Sequence, residues 1–270
     1  MVTLSGLYIY PIKSASGIAV SSASITDRGL EYDRRWMLVD ANGKFVTQRT
    51  HPQLALVSVA IGDTDLLVTA PGYGSQAVPL QPSDPSLISV EVWGDRCDAV
   101  PMPSQISQWF SEVLRFSCRL VYMPDQSDRP VDHGKVSGLD SADGLPQVSF
   151  ADAYPFLLIS EASLADLNHR LDTPVPMNRF RPNLVVRGCR PFAEDGWGRI
   201  RMGAVAFRVA KPCSRCTITT VDQGTGQRGV EPLKTLATFR QQQGQIMFGQ
   251  NLVQEELGTL HVGDAVEASS

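Results

Sequence analysis

Residues 36–47 read WMLVDANGKFVT, two apolar runs on either side of an Asn-Gly dipeptide. Asn-Gly in this setting strongly indicates a β-hairpin, because both residues tolerate the positive φ that tight turns need. Residues 54–61 and 65–70 form a similar pair, and residues 87–93 alternate apolar and polar side chains as a half-buried strand does. Many short strands joined by turns predict a barrel or a sandwich, because closure removes exposed strand edges.

In three stretches the apolar side chains have the spacing of a helix instead of the strand pattern. Residues 104–114 place apolar side chains at i, i+3, i+4 and i+7, and Ser104 is positioned to cap the helix. A second helix is predicted over residues 160–171, where Ser163 starts a sequence resembling a capping box, and a third over residues 232–243. Further strands are predicted at residues 7–12, 118–123, 183–186, 205–209, 217–221 and 259–262. The expected fold class is mainly β with α+β elements.

The composition excludes several classes of protein. The chain of 270 residues has a formal net charge of −4 and only 19% charged residues, which disfavours a nucleic-acid binder and a long disordered tail. No apolar run reaches the roughly 18 residues of a membrane span, and the N-terminus lacks the features of a signal peptide. Five cysteines are an odd count and too few for a disulfide scaffold. We therefore expect a cytoplasmic protein with reduced cysteines that binds neither nucleic acid nor membrane.

The clearest chemical signal is the pair Cys213 and Cys216, separated by two residues in KPCSRC. Such a pair chelates a metal or forms a redox dithiol. A structural zinc site needs four ligands, and a thioredoxin-type motif should begin a helix, whereas this pair lies between two predicted strands. The pattern suits a single thiolate ligand to a cofactor that brings its own donor atoms. The alternative is a pair of buried, inert cysteines.

A second set of candidates is cationic. Lys13, Arg34, Arg179 and Arg181 each lie beside apolar strand residues, where they are able to line a site for an anionic ligand. The alternative is paired charge at the rim of a barrel. Residues 248–251, FGQN, suggest a compact turn whose glycine permits close backbone approach.

Together these segments resemble the MOSC family, and within it the mitochondrial amidoxime-reducing component and its bacterial relatives. The motifs that carry the resemblance occur in order from about residue 4 to residue 266. They are YPIKSASG (10–17), LEYDRRWMLVD (30–40), SEASLADLN (160–168), NRFRPNLVV (178–186), KPCSRCTITTVD (211–222), EPLKTL (231–236) and FGQNL (248–252).

The resemblance implies an N-terminal MOSC β-barrel domain followed by a MOSC β-barrel domain with peripheral helices. We place the first domain at residues 1–124 and the second at residues 148–270. Residues 125–147 between them are rich in Asp, Ser, Gly and Pro, as a linker or long loop is.

The resemblance also implies a molybdenum cofactor, Mo-molybdopterin, in which one protein cysteine ligates the metal. Carried over residue by residue, the metal ligand and catalytic thiolate is Cys216. The candidate proton donors for a reaction there are Asp222, water ordered by Gln250 and bulk solvent. The implied cofactor-binding residues are Lys13, Ser14, Arg34, Asp152, Ala153, Tyr154, Arg181, Ser214, Arg215 and Cys216.

Three functions are compatible with these features. The first is reduction of N-hydroxylated substrates, such as amidoximes, hydroxylamines and N-hydroxylated bases, using two electrons and two protons and releasing water. Its electrons are expected from a separate protein resembling a ferredoxin, a flavoprotein or a b-type cytochrome. The second is a carrier of molybdenum cofactor or of sulfur as a Cys216 persulfide. The third is a dithiol oxidoreductase that uses Cys213 and Cys216 equally.

Overall fold

The computed structural model is built mainly of β-strands, as predicted, and it describes residues 1–84, 86–131 and 146–269. The strands of the first half are β1 (Val2–Ile9), β2 (Ile18–Val20), β3 (Ser22–Thr26), β4 (Gly29–Leu30), β5 (Trp36–Val39), β6 (Ser58–Ile61), β7 (Asp65–Ala70), β8 (Gly74–Pro79), β9 (Ile88–Val92), β10 (Asp95–Pro101) and β11 (Arg119–Tyr122). Those of the second half are β12 (Phe156–Ser160), β13 (Leu184–Arg187), β14 (Arg199–Met202), β15 (Val205–Ser214), β16 (Gln241–Gln242), β17 (Gln245–Gln254), β18 (Gly258–His261) and β19 (Ala265–Ser269). The helices are α1 (Ser104–Leu114), α2 (Glu161–His169) and α3 (Leu233–Ala237), and short 3-10 turns lie at Pro52–Leu56, Met177–Arg179, Ala193–Gly196 and Thr217–Thr220.

Seven strands close into a barrel in the order β12, β13, β1, β19, β14, β15 and β17, with β17 pairing back onto β12. Only β12 and β13 run parallel within this ring of described strands; the other pairs are antiparallel. Its interior is filled by buried aromatic and branched side chains, including the edge-to-face pair Phe156 and Phe207, whose ring centroids are 5.2 Å apart. The predicted barrel is therefore present, and helices lie outside it.

The first strand of the chain belongs to this barrel rather than to the strands that follow it in sequence. Thr3 of β1 pairs with Arg187 of β13 on one side and with Ala265 of β19 on the other. Ile25 of β3 and Leu30 of β4 also pack into the barrel core. Residues 1–31 therefore contribute to a core formed mainly by the second half. The domain boundaries at residues 124 and 148 stay a prediction, and residues 132–145 of the expected linker lie outside the described residues.

The rest of the first half forms a second core around two smaller sheets. One sheet has the order β5, β11, β10 and β9, and the other is the meander β6, β7 and β8. Helix α1 packs against this core through Ile106, Phe110 and Leu114, the apolar face that its spacing predicts. The predicted cap is wrong by one residue, because Pro103 is the N-cap and Ser104 is already helical.

The hairpin predicted over residues 36–47 forms only in part. Its turn is present, with Gly43 at φ 79° and the Asp40 amide bonded to the Lys44 carbonyl at 2.8 Å. The return arm makes two isolated bridges, from Phe45 to Val39 and from Lys44 to Glu91, rather than a paired strand. The main partner of β5 is β11, which comes about eighty residues later, so long-range pairing displaces the local one.

Two predictions in the second half are wrong because side-chain hydrogen bonds decide the backbone. Residues 217–221 are not a strand, since Thr217–Thr220 form a 3-10 turn in which the Thr219 and Thr220 hydroxyls donate to carbonyls three residues back. Helix α2 is capped by Ser160, whose hydroxyl accepts from the Ser163 amide, so Ser163 is not the capping residue.

Two further segments differ from their predictions. Residues 248–251 are not a turn but lie within β17, where Gly249 at φ 83° lets the strand approach β12 closely. The helix expected over residues 232–243 ends at Ala237, because the chain turns back at Gln243 and Gly244 to pair β16 with β17.

Candidate functional site

A single cavity gathers the predicted cofactor-binding residues from both halves of the chain. Its volume is about 150 Å³, and it opens to solvent. Loops that follow β1, β4 and β15, together with the segments before β12 and β13, supply its walls. The predicted residues that line it are Lys13, Ser14, Arg34, Asp152, Ala153, Tyr154, Arg181, Ser214, Arg215 and Cys216.

Lys13 is a buried cation at one wall of the cavity. Its Nζ donates to the Phe150 carbonyl at 2.6 Å and to Asp152 Oδ1 at 2.5 Å. Burial lowers the pKa of Lys13 to about 8, although Asp152 acts in the opposite direction. The ammonium is therefore charged at neutral pH, and its pKa responds to a nearby anion.

Three of the lining residues have backbone conformations that non-glycine residues rarely adopt. Ser14, Arg34 and Arg181 have φ values of 68°, 51° and 55°. Such strain persists only where the surrounding structure imposes it, and it concentrates at functional sites. At Ser14 the surroundings include Gln48, a fully buried residue whose Nε2 donates to the Ser14 carbonyl at 2.7 Å. The convergence of three strained residues on one cavity supports a binding role for it.

The ring of Tyr10 contacts two of the cations. The guanidinium carbons of Arg34 and Arg181 each lie 4.3 Å from the centre of its ring. The Tyr10 hydroxyl donates to the Pro182 carbonyl at 3.0 Å, and burial raises the pKa of Tyr10 to about 12, so it stays neutral. Gly17 permits this placement, since a Cβ there would lie 2.4 Å from the ring.

The two arginines beside Tyr10 differ in how they are satisfied. Arg34 forms an ion pair with Asp33 and donates to Asn183 Oδ1 at 3.0 Å. The Arg181 guanidinium has no hydrogen-bond acceptor or ion-pair partner among the described residues, and burial lowers its pKa to about 10. Arg181 is thus a charged, partly buried donor that faces the cavity with its hydrogen-bonding capacity unused.

The two cysteine thiols differ in their contacts. Arg215 Nη1 lies 3.0 Å from Cys213 Sγ, and its Nη2 donates to the Phe180 carbonyl at 2.6 Å. Cys216 Sγ has no hydrogen-bond partner within the described ranges, and Cys216 immediately precedes the 3-10 turn Thr217–Thr220. Of the two thiols, that of Cys216 is the one left available to an added ligand.

Two of the predicted residues, Arg179 and Asp222, do not line the cavity and instead pair with each other at 3.5 Å. Asp222 is held by its own loop. Its Oδ1 accepts hydrogen bonds from Thr225 Oγ1 at 3.0 Å and from the amides of Gly224 and Thr225 at 3.0 and 2.9 Å. The bond from Thr225 and the neighbouring Arg179 hold the pKa of Asp222 below its usual range. An ionised carboxylate has no proton to donate at neutral pH, so this geometry suits a residue that shapes the loop after Cys216.

Several residues that build the site carried no signal in the sequence. Arg129 is 2% exposed, and its Nη1 donates to the carbonyls of Ser149 and Ala151, both at 2.6 Å. Arg49 pairs with Asp152 at 3.1 Å from a loop about a hundred residues earlier. Neither lies in a recognisable motif. Tyr10, in contrast, lies in the segment 10–17 that the resemblance had already singled out.

Comparison with known proteins identifies the family. Residues 1–117 match the MOSC N-terminal beta barrel domain, and residues 146–267 match the MOSC domain. The chain belongs to the MOSC family.

Relatives within the MOSC family cover almost the whole chain. Mitochondrial amidoxime-reducing component 1 of Mus musculus is 37% identical over 98% of this chain and 81% of its own length. The protein of the same name from Homo sapiens is 35% identical over 98% of this chain and 82% of its own. Molybdenum cofactor sulfurase of Oryza sativa subsp. japonica is 33% identical over 95% of this chain, which corresponds to 33% of that protein.

The side chains of the cavity fit the cofactor that the MOSC resemblance implies. Four cations and one carboxylate line it, which suits a dianionic phosphate, and the buried Nε of Arg215 has no partner. In the described part of the chain, no group of three or more His, Cys, Asp or Glu side chains is arranged to hold a metal ion. A metal at Cys216 would therefore need further donor atoms from a cofactor, as a dithiolene supplies.

One structural finding bears on the membrane. No helix within residues 1–84, 86–131 and 146–269 combines the length and the apolar character that crossing a bilayer requires.

Proposed function

We propose that this MOSC protein is a molybdenum-cofactor-dependent reductase of N-hydroxylated compounds, including amidoximes, hydroxylamines and N-hydroxylated bases. Its family and the names of its relatives support a function associated with the molybdenum cofactor. The observation that carries the proposal is the cavity in which an unpartnered Cys216 thiol faces a cluster of cations. Relatives named for amidoxime reduction, matched over nearly the full chain, favour reduction as the reaction.

The chain's own residues have separate tasks in this proposal. Lys13, Arg34 and Arg181 bind the anionic phosphate and pterin, and the backbone strain at two of them fixes the direction in which their side chains point. Cys216 supplies the protein's sulfur donor to the metal, while Arg215 holds Cys213 aside. When bound, the cofactor supplies the two-electron chemistry that removes the oxygen from the N–O bond.

Electrons come, in this proposal, from a separate electron-transfer protein of the ferredoxin, flavin or b-type cytochrome kind. A cytoplasmic location stays a prediction, and the names of the amidoxime-reducing relatives place those proteins in mitochondria.

A second candidate function is favoured by one observation, the similarity to a molybdenum cofactor sulfurase over 95% of the chain. In that case Cys216 carries sulfur as a persulfide, or the cavity holds the cofactor for transfer to another protein. The reductase and carrier functions differ in what the purified protein contains. A labile persulfide mass on Cys216 without pterin supports the sulfur carrier. Molybdenum and pterin in equal amounts support the reductase if the protein also reduces benzamidoxime, and the cofactor carrier if it does not.

Substitution of the two cysteines tests the reductase proposal. Benzamidoxime reduction is measured with cofactor-loaded protein and a chemical reductant, together with the molybdenum and pterin content. Cys216→Ser should lower the turnover by at least about 100-fold, because a metal ligand is lost, whereas Cys213→Ser should lower it by less than about 10-fold. Equal losses in the two variants would instead support a dithiol oxidoreductase. Wild-type protein without molybdenum or turnover would exclude the reductase.

A further inference from the structure

A strained tryptophan lies close to the candidate site. Trp93 and Gly94 form the two-residue connection between β9 and β10, flanked by the pair Val92 and Asp95. Their φ values are 56° and 95°, the combination of a tight turn that favours Asn-Gly. A bulky aromatic residue is out of place in this conformation. The presence of tryptophan where asparagine fits better points to a role for its side chain.

The Trp93 ring is held firmly on one part of its surface. The guanidinium carbon of Arg49 lies 4.5 Å from the ring centre, and the centroid of the Phe45 ring is 5.1 Å away. Its indole also lies near the carboxylate of Asp152, whose pKa it helps to lower. Even so, 53% of the residue is exposed to solvent. The structure thus orients the ring and leaves much of it open.

Trp93 lines a groove next to the cofactor cavity. Asp152 and Ala153 line both the cavity and this groove, to which Trp93, Pro130 and Val148 contribute apolar surface. Asp152 accepts from Lys13 in the cavity and lies near Trp93 in the groove, so one side chain borders both the cation cluster and the indole. A substrate in the cavity that extends past Asp152 into this groove would meet Trp93.

We propose that Trp93 is a specificity-determining residue, whose open ring surface stacks against the flat aryl group of an N-hydroxylated substrate. This inference rests on the proposed reductase function and names the substrate class that the site prefers. Offset stacking between two aromatic rings is favourable beyond the area that it buries. An aryl amidoxime is therefore bound more tightly than an alkyl amidoxime, while the reacting N–O group is the same in both.

Two substitutions distinguish the contribution of the aromatic ring from that of the turn conformation and from that of the indole N–H. Trp93→Asn removes the ring but suits the positive φ, so its melting temperature should not fall below that of the wild type. Trp93→Phe keeps a ring and lacks the N–H. With benzamidoxime, Trp93→Asn should raise KM about 5- to 10-fold with little change in kcat, and Trp93→Phe by about 2-fold. With acetamidoxime, KM should stay within about 2-fold in both variants.

A binding measurement keeps the test independent of turnover. Titration with benzamidine, the product of benzamidoxime, should quench the tryptophan fluorescence of the loaded wild type and not that of Trp93→Asn, which retains three other tryptophans. If the wild type reduces neither amidoxime, the reductase proposal fails. In that case, quenching by benzamidine that occurs in the wild type and not in Trp93→Asn still supports an aryl-binding site at Trp93. Equal KM changes for both substrates, an unchanged KM for benzamidoxime, or quenching retained in Trp93→Asn would each overturn the inference.

Discussion

At the scale of single residues, the cavity is defined by how its cations are held in place. The ring of Tyr10 lies 4.3 Å from the guanidinium carbons of both Arg34 and Arg181. Contact with the ring is favourable for each cation and helps to offset the repulsion of two like charges in a partly buried place. Lys13 is held by a carbonyl and by the carboxylate that also binds Arg49. The cluster is therefore assembled before any anion arrives.

The lowered pKa of Lys13 predicts a pH dependence of anion binding. With a pKa of about 8, its positive charge is present below that pH and lost above it, so sulfate affinity should fall about tenfold from pH 7 to pH 9. Sulfate stays a dianion over this range. The measurement is the rise in melting temperature that sulfate causes in cofactor-free protein at each pH.

Lys13→Arg is the matched control for this pH dependence, because arginine keeps its charge at both pH values. Its sulfate response should be nearly the same at pH 7 and pH 9. If the sulfate response of Lys13→Arg fell between pH 7 and pH 9 as much as that of the wild type, the pH dependence would come from another group.

The residues predicted from sequence and those missed differ in a physical way. Lys13, Arg34, Arg181 and Cys216 lie in short motifs, where neighbouring residues indicated a site. Arg49 and Arg129 act on Asp152 and on the carbonyls beside it only after distant segments have packed together. Local spacing contains no information about such contacts, so the supporting residues could be found only in the folded chain.

At the scale of elements, β17 determines how the barrel closes. It pairs with β15 along one edge and with β12 along the other, and Gly249 lies where β12 approaches. A Cβ at Gly249 would lie 2.7 Å from Ile159 Cγ1 and 2.8 Å from the Leu158 carbonyl oxygen. The sequence indicated close approach at this glycine but suggested a turn, because local pattern does not show which strands will flank it.

Gly249→Ala should destabilise the fold by about 3 kcal/mol, since it combines an unfavourable φ with a clash against backbone that cannot move aside. Gly244→Ala is the control. Gly244 has a similar φ of 77° with no atom within 4 Å of the added carbon, so strain alone should cost about 1 kcal/mol. The free energy of unfolding in urea measures both. Equal losses of unfolding free energy in the two variants would show that the close approach of β12 adds nothing to the cost of the substitution.

At the scale of the whole molecule, the two halves of the sequence are joined by more than the chain that connects them. Gln48 and Gln223 exchange hydrogen bonds through their side-chain amides at 3.2 and 3.0 Å. Residues 1–31 supply β1, which completes the barrel, and side chains of β3 and β4, which enter its core. Neither arrangement followed from the sequence, whose motifs predicted each half by itself.

A fragment of residues 148–270 should therefore not fold on its own. It lacks β1, so the facing edges of β13 and β19 remain unpaired and part of the core is exposed. Joining residues 1–31 to its N-terminus through a flexible Gly-Ser linker should restore cooperative thermal unfolding, followed by circular dichroism. Cooperative unfolding of the shorter fragment at the same temperature would contradict this account.

The place of β1 in the barrel has a consequence for biosynthesis. This strand leaves the ribosome well before its neighbours Leu184–Arg187 and Ala265–Ser269, which emerge more than 170 residues later. At roughly 5–20 residues per second, the interval is about 10 to 50 s. Until then, of its partners in the folded protein only β2 is available to β1, and whatever shields the rest of the strand meanwhile governs the yield of native protein.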